Sequence, residues 1–198
     1  MMKNFLKRVL PVFIVILGIG VFTACGDDNN DPTPSPDEYT KGTFTFCYGA
    51  LESELDIATF KFKFTYLDEK GKEKTDESIV SKEGFVYNNP NPLVPVEGMK
   101  FCKLSVPVNA LPGSVKCETF IILKGAEQLT NDKYDLAQIV FVYFQPNGAQ
   151  YAQTWSSSSV VRYGGVKKDK LSNVVELLQK SASNTFVIQK TGAVSLYK

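Results

Sequence analysis

Thr59-Phe60-Lys61-Phe62-Lys63-Phe64-Thr65-Tyr66 decides the fold. Aromatic rings alternate with polar residues, the period of a strand with one buried face and one wet face. Gly42 opens a second such run, in which Phe44, Phe46 and Tyr48 alternate with Thr43, Thr45 and Cys47. Aromatic faces of this size must leave water, and antiparallel sheets packed on one another are the way strands do so.

The same reading extends along the chain. Asp68-Glu69-Lys70-Gly71 is a turn, and residues 72–80 return as a hairpin. Asn88-Asn89-Pro90-Asn91-Pro92 is a loop, because proline donates no ladder hydrogen bond and restricts the residue before it. Residues 101–108 form a strand that Pro107 places at an edge or an end. Leu111-Pro112-Gly113 turns into a strand over 116–124. Residues 134–145 form a central strand, since Ile139 to Phe144 is apolar on both faces. Pro146-Asn147-Gly148 reads as a tight hairpin loop that sets Gln145 opposite Ala149 and Tyr143 opposite Tyr151. One helix is expected over 169–180, where Leu171, Val174, Val175 and Leu178 share a face, Asp169 caps the start and Lys180 suits the end. Two short strands, 185–189 and 193–197, close the chain around Thr191-Gly192.

Eight or nine strands and one helix predict a mainly β fold, an immunoglobulin-like antiparallel β-sandwich with the helix at one end. A lipocalin-like β-barrel is the alternative, although the Gly-x-Trp opening of that family is missing. The β-rich globular domain spans 41–198, and a division near Gly125 into two small β-domains is the other arrangement weighed.

The front of the chain reads as an address. Lys3, Lys7 and Arg8 precede an apolar run from Leu10 to Phe22, and small Thr23 and Ala24 precede Cys25. A basic start, a short apolar core and a small-residue cut site mark an export signal. Phe22-Thr23-Ala24-Cys25 resembles a bacterial lipobox, with Phe where Leu is commoner, and Gly26-Asp27-Asp28-Asn29-Asn30-Asp31 resembles the export signal of Bacteroidota surface lipoproteins. The resemblance implies cleavage of residues 1–24, acylation of Cys25, and an outer-membrane, lipid-anchored protein facing the cell exterior. Residues 25–40, acidic and proline-rich, are then a disordered tether.

Composition narrows the chemistry by exclusion. No histidine occurs in 198 residues, which removes Ser-His-Asp and Cys-His sites together. Loss of the leader leaves 19 basic against 21 acidic residues, a balance that does not point to nucleic acid. No phosphate-cradling loop or nucleophile elbow appears. Ser195-x-x-Lys198 lies in an expected strand, not on the helical turn its chemistry needs. Glu52, Glu54 and Asp56 read as a solvated acidic turn; as a carboxylate pair they would serve a glycoside hydrolase, and as oxygen ligands they match no calcium loop. Arg162, Lys167, Lys168 and Lys170 read as a wet basic surface. No metal and no cofactor are expected.

Cys102 and Cys117 lie on the apolar faces of strands adjacent in sequence and are the pair a disulfide would join; buried free thiols are the alternative for them and for Cys47. Tyr143, Tyr151, Gln153 and Trp155 are read as one face, either sheet packing or a ligand platform. Flat rings beside an amide suit sugars, whose apolar C–H faces are ringed by hydroxyls. The leading expectation is a non-catalytic surface binding module with a polysaccharide as its first ligand class. A structural or accessory subunit of a pilus or outer-membrane complex, with surface protein partners, comes second. A carboxylate-dependent hydrolase comes last.

Overall fold

The computed structural model describes residues 39–198 except 91–93, 95, 157–159 and 198. The expected leader and most of the tether lie outside the described residues. Among the described residues ten strands form two antiparallel sheets. The first sheet holds β1 (Gly42–Leu51), β4 (Met99–Val108), β6 (Lys133–Pro146), β7 (Gln153–Ser156) and β8 (Val161–Lys167). The second holds β2 (Ala58–Leu67), β3 (Glu73–Val80), β5 (Gly113–Leu123), β9 (Asn184–Ile188) and β10 (Val194–Leu196). The architecture is a β-sandwich and not a closed barrel.

The two aromatic runs meet face to face, as their alternation requires. Phe46 of β1 lies 5.7 Å from both Phe62 and Phe64 of β2, and Tyr48 lies 5.4 Å from Phe60. Phe44 reaches Phe186 of β9 at 5.4 Å. Edge-to-face and tilted pairs at such separations add to area burial. Residues on both sides of Gly125 share this core, from Phe44 to Ile188.

The chain crosses between the sheets from β1 to β2 and again from β4 to β5, while β1 pairs β4 and β2 pairs β5. Strands B and E, and C and F, are neighbours in this way in an immunoglobulin domain. Beyond β5, the place of a seventh strand is taken by β9. The position of β4 at a sheet edge agrees with Pro107, and β6 lies inside its sheet as its unbroken apolar run requires.

Helices complete both sheets where strands stop short. α2 (Leu171–Ala182) follows a 3₁₀ turn over Lys168–Lys170. Asp169 therefore sits in that turn, and no side chain caps the helix. β9 covers β5 only as far as Cys117. Beyond it, Ser183 Oγ accepts from the Thr119 amide at 2.9 Å, and Gln179 Oε1 accepts from the Ile121 amide at 2.7 Å. These side chains satisfy an edge that would otherwise be open. The short helix α1 (Glu52–Leu55) does the same for β6, as described below.

The outer faces of the two sheets differ. On the outer face of the first sheet Val96, Met99 and Phe101 pack with Cys47, Ala137, Ile139 and Phe141 in a second apolar cluster, and Val94 and Tyr143 lie against it. Tyr87 and Phe101 exchange two backbone hydrogen bonds of 3.0 Å along the free edge of β4. The outer face of the second sheet carries Lys61, Lys63, Glu77, Glu118, Phe120, Ile79 and Ile122. Ile79 and Ile122 are exposed there at 71% and 50%.

Gly49 shows why β1 tolerates a glycine. Phe101, its partner across the ladder, lays its fully buried ring over the missing side chain, and an added Cβ would collide with that ring. Gly49→Ala is expected to cost about 1–3 kcal/mol in denaturant unfolding, the usual range for overpacking.

Candidate functional site

The expected face of Tyr143, Tyr151, Gln153 and Trp155 does not form. Asn147 donates to the Lys41 carbonyl at 3.0 Å, so β6 continues along β1 through Pro146 and the loop runs to Ala152. Tyr143 then pairs with Thr154, and Val142 pairs with Trp155. An odd shift in register turns a side chain to the opposite face of the sheet. Tyr143 points outward and donates to the Pro90 carbonyl at 3.2 Å. Trp155 points inward against Phe186 at 5.2 Å, with Gln153 on the same side of the strand. Tyr151 stands in the loop, 73% exposed.

The cysteines are also placed otherwise than in a bridge. Cys102 lies on β4 and Cys117 on β5, in different sheets, because the chain crosses the sandwich between them. Cys47, Cys102 and Cys117 are buried free thiols. Burial pushes the Cys47 thiol up to about 11 and Cys102 up to about 12, and raises Cys117 as well. Thiols held protonated are poor nucleophiles.

The acidic turn divides into an outside and an inside. Glu52 and Asp56 face solvent and pair with Lys82 at 3.7 and 2.6 Å. Glu54 is fully buried, so this part of the expected solvated turn is wrong. β1 ends at Leu51, and the ladder position beside Ala137 would be vacant. Glu54 Oε2 fills it, accepting from the Ala137 amide at 3.1 Å, while Ser53 Oγ donates to the Asp135 carbonyl at 3.0 Å. Glu54 Oε1 has no hydrogen-bond partner among the described residues. Burial pushes the carboxyl up to about 8, with the Ala137 amide pulling the other way. Nearby, the Tyr48 hydroxyl donates to Gln138 Oε1 at 2.8 Å, and Gln138 Nε2 donates to the Leu178 carbonyl at 2.7 Å and to Ser181. The three carboxylates do not converge on a cleft.

Surface clefts offer places to bind something, and two of them adjoin the helices. The first lies on the open face of the second sheet and has a volume of about 230 Å³. Lys116, Glu118 and Phe120 of β5 line it with Ser183, Asn184 and Thr185. Phe120 is 38% exposed, and Lys61 Nζ stands 5.4 Å from its ring centre. Lys116 and Lys63 hold Glu118 as a carboxylate below its ordinary range, at 3.1 and 3.5 Å. The signal was present in the sequence: Phe120 and Ile122 are large apolar residues on what is otherwise the polar face of β5. The second cleft, about 380 Å³, lies where α1, β6 and β8 meet on the first sheet.

The chain matches no protein-family model, no curated protein sequence and no solved structure.

Glu54 gives the protein a pH dependence with a definite sign. An unfolded glutamate loses its proton near pH 4.3, whereas the folded one keeps it to about 8. Between these values the folded state binds more protons, so stability falls as pH rises and levels off above about 8. The slope approaches about 1.4 kcal/mol per pH unit. Glu54→Gln cannot titrate, so its unfolding free energy should lack this component, and the gap between variant and wild type should grow from pH 5 to 8. Parallel curves for the two proteins would contradict the assignment.

Proposed function

We propose that this chain is a non-catalytic lipoprotein of the outer cell surface, acting as a binding module for carbohydrate. The observation that carries the ligand class is Phe120. It is an exposed ring in a cleft, on a sheet face that no loop covers among the described residues. A sugar lays an apolar C–H face on such a ring, while its hydroxyls need donors and acceptors at the rim. Glu118 supplies an acceptor, Lys116 a donor, and Asn184 and Thr185 groups of both kinds. Ile79, Lys61 and Phe120 lie in one cross-strand row, and Ile122 follows on β5. The row extends the surface beyond a single sugar unit, as a polysaccharide chain requires.

Phe120→Ala should abolish retardation on a polysaccharide that retards the wild type in affinity electrophoresis, with the melting temperature unchanged. Tyr151→Ala, in the loop at the other sheet, should be retarded like wild type. Equal retardation of Phe120→Ala, or no retardation of the wild type across a broad polysaccharide panel, would sink the reading.

The anchor is a separate part of the proposal. Cys25 follows Phe22-Thr23-Ala24 and precedes an aspartate-rich run. Each buried methylene of an acyl chain contributes roughly 0.8 kcal/mol, so two or three long chains hold a domain at a membrane almost permanently. Cells fed labelled palmitate should yield a labelled wild-type protein and an unlabelled Cys25→Ala protein that leaves the membrane fraction.

A structural subunit of a surface assembly is the second reading, favoured by one observation. Among the described residues β3 forms a sheet edge with no strand beyond it. Lys74, Asp76 and Glu77 along that edge are charges of the kind that discourage strand addition, which ranks this reading below ligand binding.

A further inference from the structure

The second cleft carries an inference independent of Phe120, because it lies on the outer face of the other sheet. Its centre is a β-bulge. Lys133 pairs with Lys167 and Tyr134 with Val166, but Leu136 pairs with Tyr163, so Gly164 and Gly165 together oppose Asp135. Gly165 takes a φ of +64°, which a side chain would resist. Two residues without side chains leave open space beside Asp135. Leu51, Ser53, Leu136, Arg162 and Tyr163 line the cleft with Asp135 and Gly164.

Asp135 and Arg162 project from the same face. Asp135 is two residues from Ala137 on β6, and Ala137 pairs with Arg162. Such diagonal neighbours are about 7–8 Å apart at the backbone, within reach of long side chains. No ion pair joins them among the described residues. Each is held by a backbone group instead. The Gly165 amide donates to Asp135 Oδ1 at 2.6 Å, and Arg162 Nη2 donates to the Glu97 carbonyl at 3.3 Å. A carboxylate has a second oxygen and a guanidinium has further N–H groups, so both retain capacity for a ligand.

We propose that this cleft binds a free α-amino acid, with its ammonium on Asp135 and its carboxylate on Arg162. The α-amino acid carries both charges on one carbon and can bridge two opposite charges that are near but unjoined. A simple anion would meet Asp135, and a simple cation would meet Arg162, so each alone is disfavoured. The cleft, at about 380 Å³, has room for a small side chain beside Leu51.

The test is a titration of the isotope-labelled full-length chain, followed at the Gly164 and Gly165 amides by nuclear magnetic resonance. Glycine, alanine and leucine are added into the millimolar range, with N-acetylglycine and glycinamide as blocked controls. At least one free amino acid should give saturable shifts, and neither control should. Arg162→Gln should weaken binding at least tenfold, and Asp135→Asn should do the same. Because Asp135 also holds the bulge, Arg162→Gln decides the matter if Asp135→Asn loosens it. Phe120→Ala should bind like wild type, which separates this site from carbohydrate binding. No saturable shift, equal shifts with a blocked control, shifts with a hexose instead, or unchanged binding by Arg162→Gln would each overturn the proposal.

Discussion

A sheet cannot leave its inner backbone groups unpaired, and this sandwich meets that constraint with helix side chains at two places where a strand ends early. β1 must stop at Leu51 to carry the chain across to the second sheet, which strips β6 of a neighbour at Asp135 and Ala137. Ser53 and Glu54 of α1 supply the missing donor and acceptor. β9 leaves β5 at Cys117, and Gln179 and Ser183 take over at Ile121 and Thr119. An unpaired buried amide costs about 1–3 kcal/mol. These few contacts therefore decide where both helices sit, and the two clefts lie beside them.

The first replacement has a cost of its own. Reaching Ala137 takes the Glu54 carboxyl fully out of water, and one of its oxygens stays without a partner among the described residues. Burial penalises the charged form, so the group that completes the ladder does so best when protonated. Glu52 and Asp56, one step away on either side of the turn, remain outside on Lys82. Three acids that look alike along the chain thus have different environments.

The covered and open faces of the sandwich separate packing from recognition. Val96 packs on the first sheet with Phe101 and Phe141, and Tyr143 lies half-buried against them with its hydroxyl on the Pro90 carbonyl. The second sheet is left with Phe120, Ile122 and Ile79 in water among lysines and glutamates. Apolar residues held on an uncovered sheet face mark a surface suited to a partner or ligand.

Alternation in residues 42–48 and 59–66 was enough to declare two half-buried strands, since period two is a local property of the backbone. Pro107 at an edge, β6 as an inner strand and the apolar stripe of α2 were legible for the same local reason. β8 was not legible, because Gly164 and Gly165 break its alternation and its charges read as loop. The face containing Trp155 depended on a loop length that only the pairing of Pro146 with Gly42 fixes. Nor could spacing show that Glu54 turns inward while Glu52 and Asp56 turn outward. That outcome depends on where β1 ends relative to β6, a relation between segments over eighty residues apart. Local periodicity determined the strands that alternate or run apolar; long-range register and crossover positions decided which side chains share a surface.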